Sequence, residues 1–151
     1  MKRLEVGASE LGELARMMRK VSFFSPLTVG QLDEILPHVR IHAFEPGETV
    51  FKQGQRGDAF YIVYKGSVDV RLRKMLILSK TVATLRVGDF FGEIALISDE
   101  PRTATIVAAE TTWLFTLIAR DFQAVLGQNP KAAEEMRRIA DRRKFDTAHS
   151  E

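Results

Sequence analysis

One segment, residues 90–105 (FFGEIALISDEPRTAT), concentrates the residue types that bind an anion. Gly92 permits a sharp turn or a close approach of the backbone, and residues 93–97 are long enough for a short helical turn. The first backbone N–H groups of such a turn have no intrahelical partner and favour an anion. Arg102 would add a permanently charged, bidentate donor, and Thr103 a hydroxyl and its own N–H. The segment therefore predicts a phosphate site.

Glu93 lies beside this predicted phosphate site, where an uncompensated carboxylate would repel the ligand. Arg102 is the cation available to neutralise it. An ionised carboxylate only accepts hydrogen bonds, whereas ribose hydroxyls can donate them. An arginine for a phosphate and a glutamate for a neighbouring hydroxyl together fit a nucleotide whose phosphate lies close to its ribose. The pair points to a small, compact ribose phosphate as the ligand.

The N-terminal stretch that precedes this site, residues 1 to about 37, has the pattern of helices. Apolar residues recur at helical spacing near its start: Leu11, Leu14, Ala15 and Met18. Thr28, followed three residues later by Gln31, is a capping-box pattern and predicts the start of a second, short helix. Pro37 ends that helix, because the residue before a proline avoids the helical region.

The middle stretch, residues 39 to about 118, has the pattern of strands. Residues 68–73 alternate between apolar and charged types, as a half-buried strand does. Further strands are predicted at residues 60–64, 81–85, 103–108 and 112–117, with glycines between many of them. Short strands with regularly spaced turn residues predict an antiparallel sandwich or barrel. The turn within residues 74–80 is the least clear, because it lacks Gly, Pro or Asn.

The C-terminal stretch, residues 119–151, returns to helical spacing. Gly127 is a predicted C-cap, and Asn129 followed by Pro130 predicts the N-cap and first residue of a final helix. One face of that helix is predicted to carry Met136, Ile139, Ala140 and Arg143. The last few residues have the character of a frayed tail.

Composition excludes several classes of protein. The chain has 151 residues, of which 45% are hydrophobic and 28% charged, which is typical of one globular domain. It has no cysteine, so a disulfide scaffold, a thiolate zinc site and a cysteine nucleophile are excluded. The net charge of +2 is too small to indicate a nucleic-acid surface. No apolar run approaches the roughly 18 residues of a membrane span, and the N-terminus lacks a signal peptide's apolar core, so we expect a soluble cytoplasmic protein.

Residues 90–105 resemble the phosphate-binding cassette of the cyclic nucleotide-binding domain family. That family includes the catabolite activator protein, the regulatory subunits of cAMP-dependent protein kinase and cyclic-nucleotide-gated channels. Residues 90–112 are especially similar to the domain of bacterial cyclic-nucleotide-gated potassium channels. The chain also matches the family's spacing of turn motifs, at residues 44–51, 53–54, 57–58, 60–63 and 66–68. The resemblance covers roughly residues 23–145.

The resemblance implies an α+β fold, in which an antiparallel β-roll or jelly roll is flanked by N-terminal helices and a C-terminal lid helix. We divide the chain accordingly into an N-terminal helical extension at 1–22, a cyclic nucleotide-binding domain at 23–146 and a tail at 147–151. Within the domain, Glu93 would accept a hydrogen bond from the ribose 2′-hydroxyl and Arg102 would pair with the cyclic phosphate. The cassette would also be lined by Gly92, Ile94, Ala95, Thr103 and Ala104.

Three further side chains are assigned to the base of the nucleotide. Val70 and Leu85 are interpreted as apolar walls around it. In this family the final helix covers the purine, and Arg143 is the candidate to stack on it or bond to it, with Arg142 as the second choice. In this family, cGMP-selective sites include ones with a threonine at the position of Thr103, and bacterial cAMP sites also use serine or threonine there. We therefore expect cAMP to be favoured, with cGMP as the alternative.

The function that the resemblance implies is that of a non-catalytic sensor module without a metal. Nucleotide binding would close the C-terminal helix and signal to an unidentified protein partner. Little chain follows Asp146, so no helix-turn-helix domain and no direct DNA binding are expected, and no membrane span is predicted. The initial Met and the N-terminal helix favour a free-standing module over a sensor domain cut from a larger protein.

Four alternative interpretations remain open. The same fold could serve as an interaction scaffold without a ligand. A cupin-like metal enzyme on a similar β-roll would need a histidine cluster, which three scattered histidines do not supply. Glu93 and Arg102 could form only a surface ion pair, worth about 0–1 kcal/mol. The charged residues around Arg143 could be a solvated helix face.

Overall fold

The computed structural model of the chain describes residues 1–20, 24–74, 78–93 and 100–149. The helices are α1 (Ala8–Lys20), α2 (Val29–Ile35), α3 (Ala119–Leu126) and α4 (Pro130–His149), and a short 3-10 helix spans Leu36–His38. The strands are β1 (Lys2–Leu4), β2 (Arg40–Phe44), β3 (Thr49–Phe51), β4 (Ala59–Lys65), β5 (Ser67–Lys74), β6 (Leu78–Arg86), β7 (Phe90–Phe91), β8 (Thr105–Ala108) and β9 (Thr112–Ile118).

The strands form two antiparallel sheets. One sheet has the strand order β1-β2-β9-β4-β7, and the other has the order β3-β8-β5-β6. Strand β9 pairs with both β2 and β4, and strand β8 pairs with both β3 and β5. The predicted α+β fold, an antiparallel β-roll with helices before and after it, is therefore confirmed.

Two groups of buried side chains hold the fold together. The roll core lies between the sheets and takes residues from both of them: Phe44, Val63, Val68, Phe91, Ile106, Ala108 and Leu114. The helical core forms where the helices pack against side chains of the first sheet. It includes Leu14, Met18, Phe24, Ile35, Phe60, Phe115, Phe122 and Ala132. Strand alternation explains the division, because successive side chains of β4 and β9 point to opposite faces.

The ends of two helices follow the local sequence as predicted. The Gln31 backbone N–H donates to Thr28 Oγ1 at 3.1 Å, and the Thr28 N–H donates to Gln31 Oε1 at 3.0 Å, so the capping box is confirmed. Asn129 Oδ1 accepts from the Ala132 N–H at 3.1 Å, which confirms the N-cap of α4. Both motifs depend on side chains that reach backbone groups three residues away.

The N-terminus departs from the prediction. The helical interpretation of residues 1 to about 37 is wrong for Lys2–Leu4, which form β1 and pair with β2, with Leu4 opposite Ile41. The edge of β2 offers unpaired backbone groups that a short extended segment can satisfy. The N-terminal amino group also forms an ion pair with Glu48.

Smaller differences concern the ends of other elements. Strand β8 begins at Thr105 rather than at residue 103. Helix α4 continues to His149, into the segment 147–151 that was assigned to a tail. The unclear turn after Lys74 lies in part at residues 75–77, outside the described residues. None of the helices in the described part of the chain is long and apolar enough to cross a membrane.

Candidate functional site

The backbone of Arg102 is fixed to the turn that follows β3. Its N–H donates to the Gln55 carbonyl at 2.7 Å, and its own carbonyl accepts from the Gly54 N–H at 2.8 Å. These two bonds join the end of the cassette to a turn that is about fifty residues earlier in the chain. They direct the Arg102 side chain inward, where it is 8% exposed.

The guanidinium of Arg102 has partners from three different segments of the chain. Nη2 donates to the Ala59 carbonyl at 3.0 Å, and Nη1 lies 3.5 Å from the Gly92 carbonyl. Cζ lies 4.0 Å from the centroid of the Phe51 ring. Arginine suits such a position because its planar cation can stack on an aromatic face while its edge donates hydrogen bonds.

Gly92 has a backbone conformation that only glycine adopts without strain. Its φ is +81°, in the left-handed region. A Cβ at this position would lie 2.8 Å from the Ala59 carbonyl oxygen and 3.1 Å from Nη1 of Arg102. The glycine therefore lets the cassette backbone pass close to both β4 and the guanidinium.

Glu93, the next residue, is 3% exposed, so this carboxylate and the guanidinium of Arg102 are both buried. Burial lowers the pKa of Arg102, and the nearby groups of Tyr61, Asp58 and Glu93 act in the opposite direction. The interpretation of Glu93 and Arg102 as a surface ion pair is therefore wrong. Instead the turn at Gly92 brings an acid and a cation into one low-dielectric region.

Arg102 also has an unused donor. Among the residues that the structure describes, its buried Nε has no hydrogen-bond partner. A buried donor without a partner costs about 1–3 kcal/mol, and more when it is charged. An arginine offers five N–H donors in a fixed fork, which matches an anion with several acceptor oxygens. The arrangement is chemically suited to hold a phosphate.

Of the other predicted site residues, Thr103 and Ala104 can be placed relative to strand β8. Thr103 is half-buried and Ala104 is buried, directly before β8. Ile94 and Ala95 lie outside the described residues. Arg143 belongs to α4, and its side chain is likewise outside the description, while Arg142 is exposed.

Val70 and Leu85, the predicted apolar walls, both pack against the roll core. They lie on the adjacent strands β5 and β6, where Leu85 pairs with Val68 and Val70 pairs with Ala83. Facing residues of paired strands point to the same side of the sheet. Both side chains thus lie toward the interior of the roll.

Sequence reasoning did not find the groups that surround the Arg102 guanidinium. In the sequence, Phe51 is only the end of one turn motif and Gly57 only part of another. A Cβ at residue 57 would lie 1.9 Å from Nε of Arg102, so this glycine leaves the space that the guanidinium occupies. No sequence motif links residues 51 and 57 to residue 102, because their contacts with the Arg102 side chain arise only in the folded chain.

Two of the three histidines lie apart from one another. His38 Nδ1 lies 3.7 Å from a carboxylate oxygen of Asp121, and His42 Nδ1 lies 2.9 Å from Thr116 Oγ1. Burial lowers the pKa of His42, as do the charges of Arg3, Arg40 and the N-terminus. Within the described ranges, no group of three histidine or carboxylate side chains is placed to hold a metal ion.

Known sequences include relatives of this chain. The family described as "Cyclic nucleotide-binding domain" matches residues 41–129. A cGMP-dependent protein kinase of Eimeria tenella is 36% identical over 124 residues, which are 82% of this chain and 12% of that protein. A cyclic nucleotide-gated potassium channel of Mesorhizobium japonicum is 35% identical over 125 residues, which are 83% of this chain and 33% of the channel. The chain thus spans between about an eighth and a third of the length of these relatives.

Solved structures share the fold. The regulatory domain of Toxoplasma gondii PKA, crystallised with cAMP, has a TM-score of 0.75 and 25% identity, over 80% of this chain and 46% of that one. The catabolite activator protein of Thermus thermophilus has a TM-score of 0.72 and 28% identity, over 85% of this chain and 60% of that one.

Proposed function

Since this chain belongs to the cyclic nucleotide-binding domain family, we propose that it binds a cyclic nucleotide, cAMP in preference to cGMP. The domain is a regulatory, non-catalytic module, as in the regulatory subunits to which it is similar. The observation that carries the proposal is the burial of Arg102 and Glu93 together at the turn of Gly92.

Each of the two buried charges has a role in the proposed complex. Arg102 pairs with the cyclic phosphate, which gives its buried Nε or its two terminal nitrogens a charged acceptor. Glu93 accepts a hydrogen bond from the ribose 2′-hydroxyl. Each hydrogen bond to a charged group contributes about 1.5–3 kcal/mol net. Two or three such bonds supply a large part of the roughly 8 kcal/mol of a micromolar complex.

The rest of the site is proposed on the same basis. The cassette backbone at residues 92, 94, 95, 103 and 104 would line the sugar and phosphate. Val70 and Leu85 would contact the base, which agrees with their position toward the interior of the roll. Arg143 of α4 would cover the base from the C-terminal side.

The proposed signal is a closure of α4 over the base. Asn129, the N-cap of α4, donates from Nδ2 to the Pro26 carbonyl at 2.9 Å and to Gln31 Oε1 at 3.2 Å. The start of α4 is thus hydrogen-bonded to the N-terminal region of α2. A movement of α4 would displace this region, which a protein partner would contact. A nucleotide shifts such an equilibrium only as far as it prefers the closed state, and a tenfold preference corresponds to about 1.4 kcal/mol.

Isothermal titration calorimetry with cAMP, cGMP and 5′-AMP tests the proposal. We expect saturable binding of one cAMP per chain, weaker binding of cGMP and much weaker binding of 5′-AMP, whose phosphate is not held against the ribose. A chain that binds neither cyclic nucleotide at millimolar concentration would contradict the proposal. That result would favour the interaction scaffold without a ligand.

A further inference from the structure

The Phe51 ring lies against the Arg102 guanidinium, with Cζ 4.0 Å from its centroid. Phe51 ends strand β3, and its ring contacts Tyr61 of β4 at 5.9 Å and Phe91 of β7 at 5.8 Å between centroids. The rings of Tyr61 and Phe91 are stacked, 5.0 Å apart and 15° from parallel. The three rings therefore form one surface, which we call the aromatic platform.

The aromatic platform connects both sheets of the roll. Phe51 comes from the sheet that contains β8, whereas Tyr61 and Phe91 come from the sheet that contains β4. The platform carries the guanidinium on the face of one ring, while Gly57 lies against Nε and the Ala59 carbonyl accepts from Nη2. Contacts from three directions thus restrict a side chain that is otherwise among the most flexible.

The physical consequence is preorganisation. Fixing a flexible side chain such as arginine costs rotamer entropy. A guanidinium already held by a ring and a carbonyl does not lose that freedom again when an anion binds, so more of the interaction appears as affinity. The attraction between a cation and an aromatic face also grows when water is excluded.

We propose that Phe51 is a positioning residue that holds the Arg102 guanidinium for the phosphate. This inference rests on the proposed function for its effect on affinity, although not for the placement of the guanidinium itself. The π face is the required feature, because an aliphatic side chain of similar size would fill the space without attracting the cation.

Binding measurements on four variants test the effect on affinity. We expect Phe51→Leu to weaken cAMP binding about 3- to 30-fold and Phe51→Tyr, which keeps the ring, to bind like the unaltered protein. In an Arg102→Ala background, Phe51→Leu should have no further effect. Equal weakening in both backgrounds would show that Phe51 acts through general packing and would overturn the proposal, as would unaltered binding by Phe51→Leu. Thermal unfolding of each variant confirms that it is folded.

NMR of the arginine Nε–Hε groups tests the placement without any nucleotide. A group held over a ring is displaced upfield by the ring current, and Arg102→Lys identifies its resonance by removing it. We expect the displaced resonance in the unaltered protein and in Phe51→Tyr, and its return toward the ordinary position in Phe51→Leu. An Arg102 resonance that Phe51→Leu leaves in place would overturn the inference. If the resonance is displaced but no cyclic nucleotide binds, the placement holds and the proposed function fails.

Discussion

Two cations of this protein lie at almost the same distance from an aromatic ring. Cζ of Arg102 is 4.0 Å from the centroid of Phe51, and Nζ of Lys65 is 4.1 Å from the centroid of Trp113. Their surroundings differ, because Lys65 is exposed at the end of β4 whereas Arg102 is buried. The same contact therefore operates in water at one site and in a low-dielectric interior at the other.

The difference shows why contact distance alone does not identify a functional cation. An exposed cation–π contact contributes about 0.5–1 kcal/mol to stability, and a desolvated one about 2 kcal/mol or more. Burying the cation, however, costs several kcal/mol that a single ring does not offset. Lys65 thus stabilises the surface at little cost, while the burial of Arg102 agrees with the ligand-binding role proposed for it. Variants at the two sites should separate binding from stability.

The largest expected effect is that of Arg102→Ala on cAMP affinity. Removing one member of a buried, hydrogen-bonded charge pair costs about 2–5 kcal/mol, which corresponds to about a 30-fold or greater rise in Kd. The free protein should lose some stability as well, because the variant removes the bond to the Ala59 carbonyl and leaves the Glu93 carboxylate buried without this cation. Calorimetric titration and urea unfolding measure the two quantities. A variant that binds cAMP normally but unfolds easily would reverse the assignment and make Arg102 structural.

Gly57→Ala should have the next largest effect, although it leaves Arg102 in the chain. The φ of Gly57 lies outside the left-handed region, so the backbone accepts alanine, but the new Cβ would overlap the guanidinium. We expect the side chain to be displaced and Kd to rise about 10-fold or more, about 1.4 kcal/mol. Gly12→Ala is the control, since nothing lies within 4 Å of a Cβ there. Equal affinities in both alanine variants would contradict the observed path of the Arg102 side chain.

Glu93→Gln should weaken binding moderately, by about 10-fold, because the amide keeps an acceptor for the ribose hydroxyl but loses the charge. The matched ligand is 2′-deoxy-cAMP, which lacks the hydroxyl that Glu93 is proposed to bind. We expect the unaltered protein to lose affinity for this ligand and Glu93→Gln to show little further loss. Fully additive effects of the variant and the ligand would mean that Glu93 acts elsewhere.

The elements that the sequence predicted well are those whose determinants are local. Thr28 and Gln31 fix the start of α2 through two bonds across three residues, and residues 68–73 alternate because one face of β5 is buried. Strand β1 was missed, because Lys2–Leu4 are extended only through pairing with β2, which lies about forty residues later. Tertiary pairing decided their structure, and a short segment has little propensity of its own to oppose it.

The candidate site divides in the same way. Glu93 and Arg102 could be identified as candidate site residues because both lie in one continuous segment rich in anion-binding residue types. The structure buries both. Phe51 and Gly57 could not be identified from the sequence, since they are about fifty residues from Arg102 along the chain. Only the packing of the two sheets brings them into contact with it. Preorganisation is a property of the packed fold, so a sequence pattern identifies the charged groups before it identifies what holds them.

The smallest expected effect is that of Lys65→Met, which tests the exposed side of the comparison. Methionine keeps the apolar stem over Trp113 and removes the charge, so the free energy of unfolding should fall by no more than about 1 kcal/mol. The Kd for cAMP should not change, because Lys65 contacts the rings of Tyr64 and Trp113, which pack against the helical core rather than the cassette. Lys80→Met, at an exposed position of β6, controls for the loss of a surface charge. A change in Kd with Lys65→Met, but not with Lys80→Met, would mean that the exposed contact is coupled to the cassette through β4. Burial would then no longer separate a cation that affects binding from one that affects only stability.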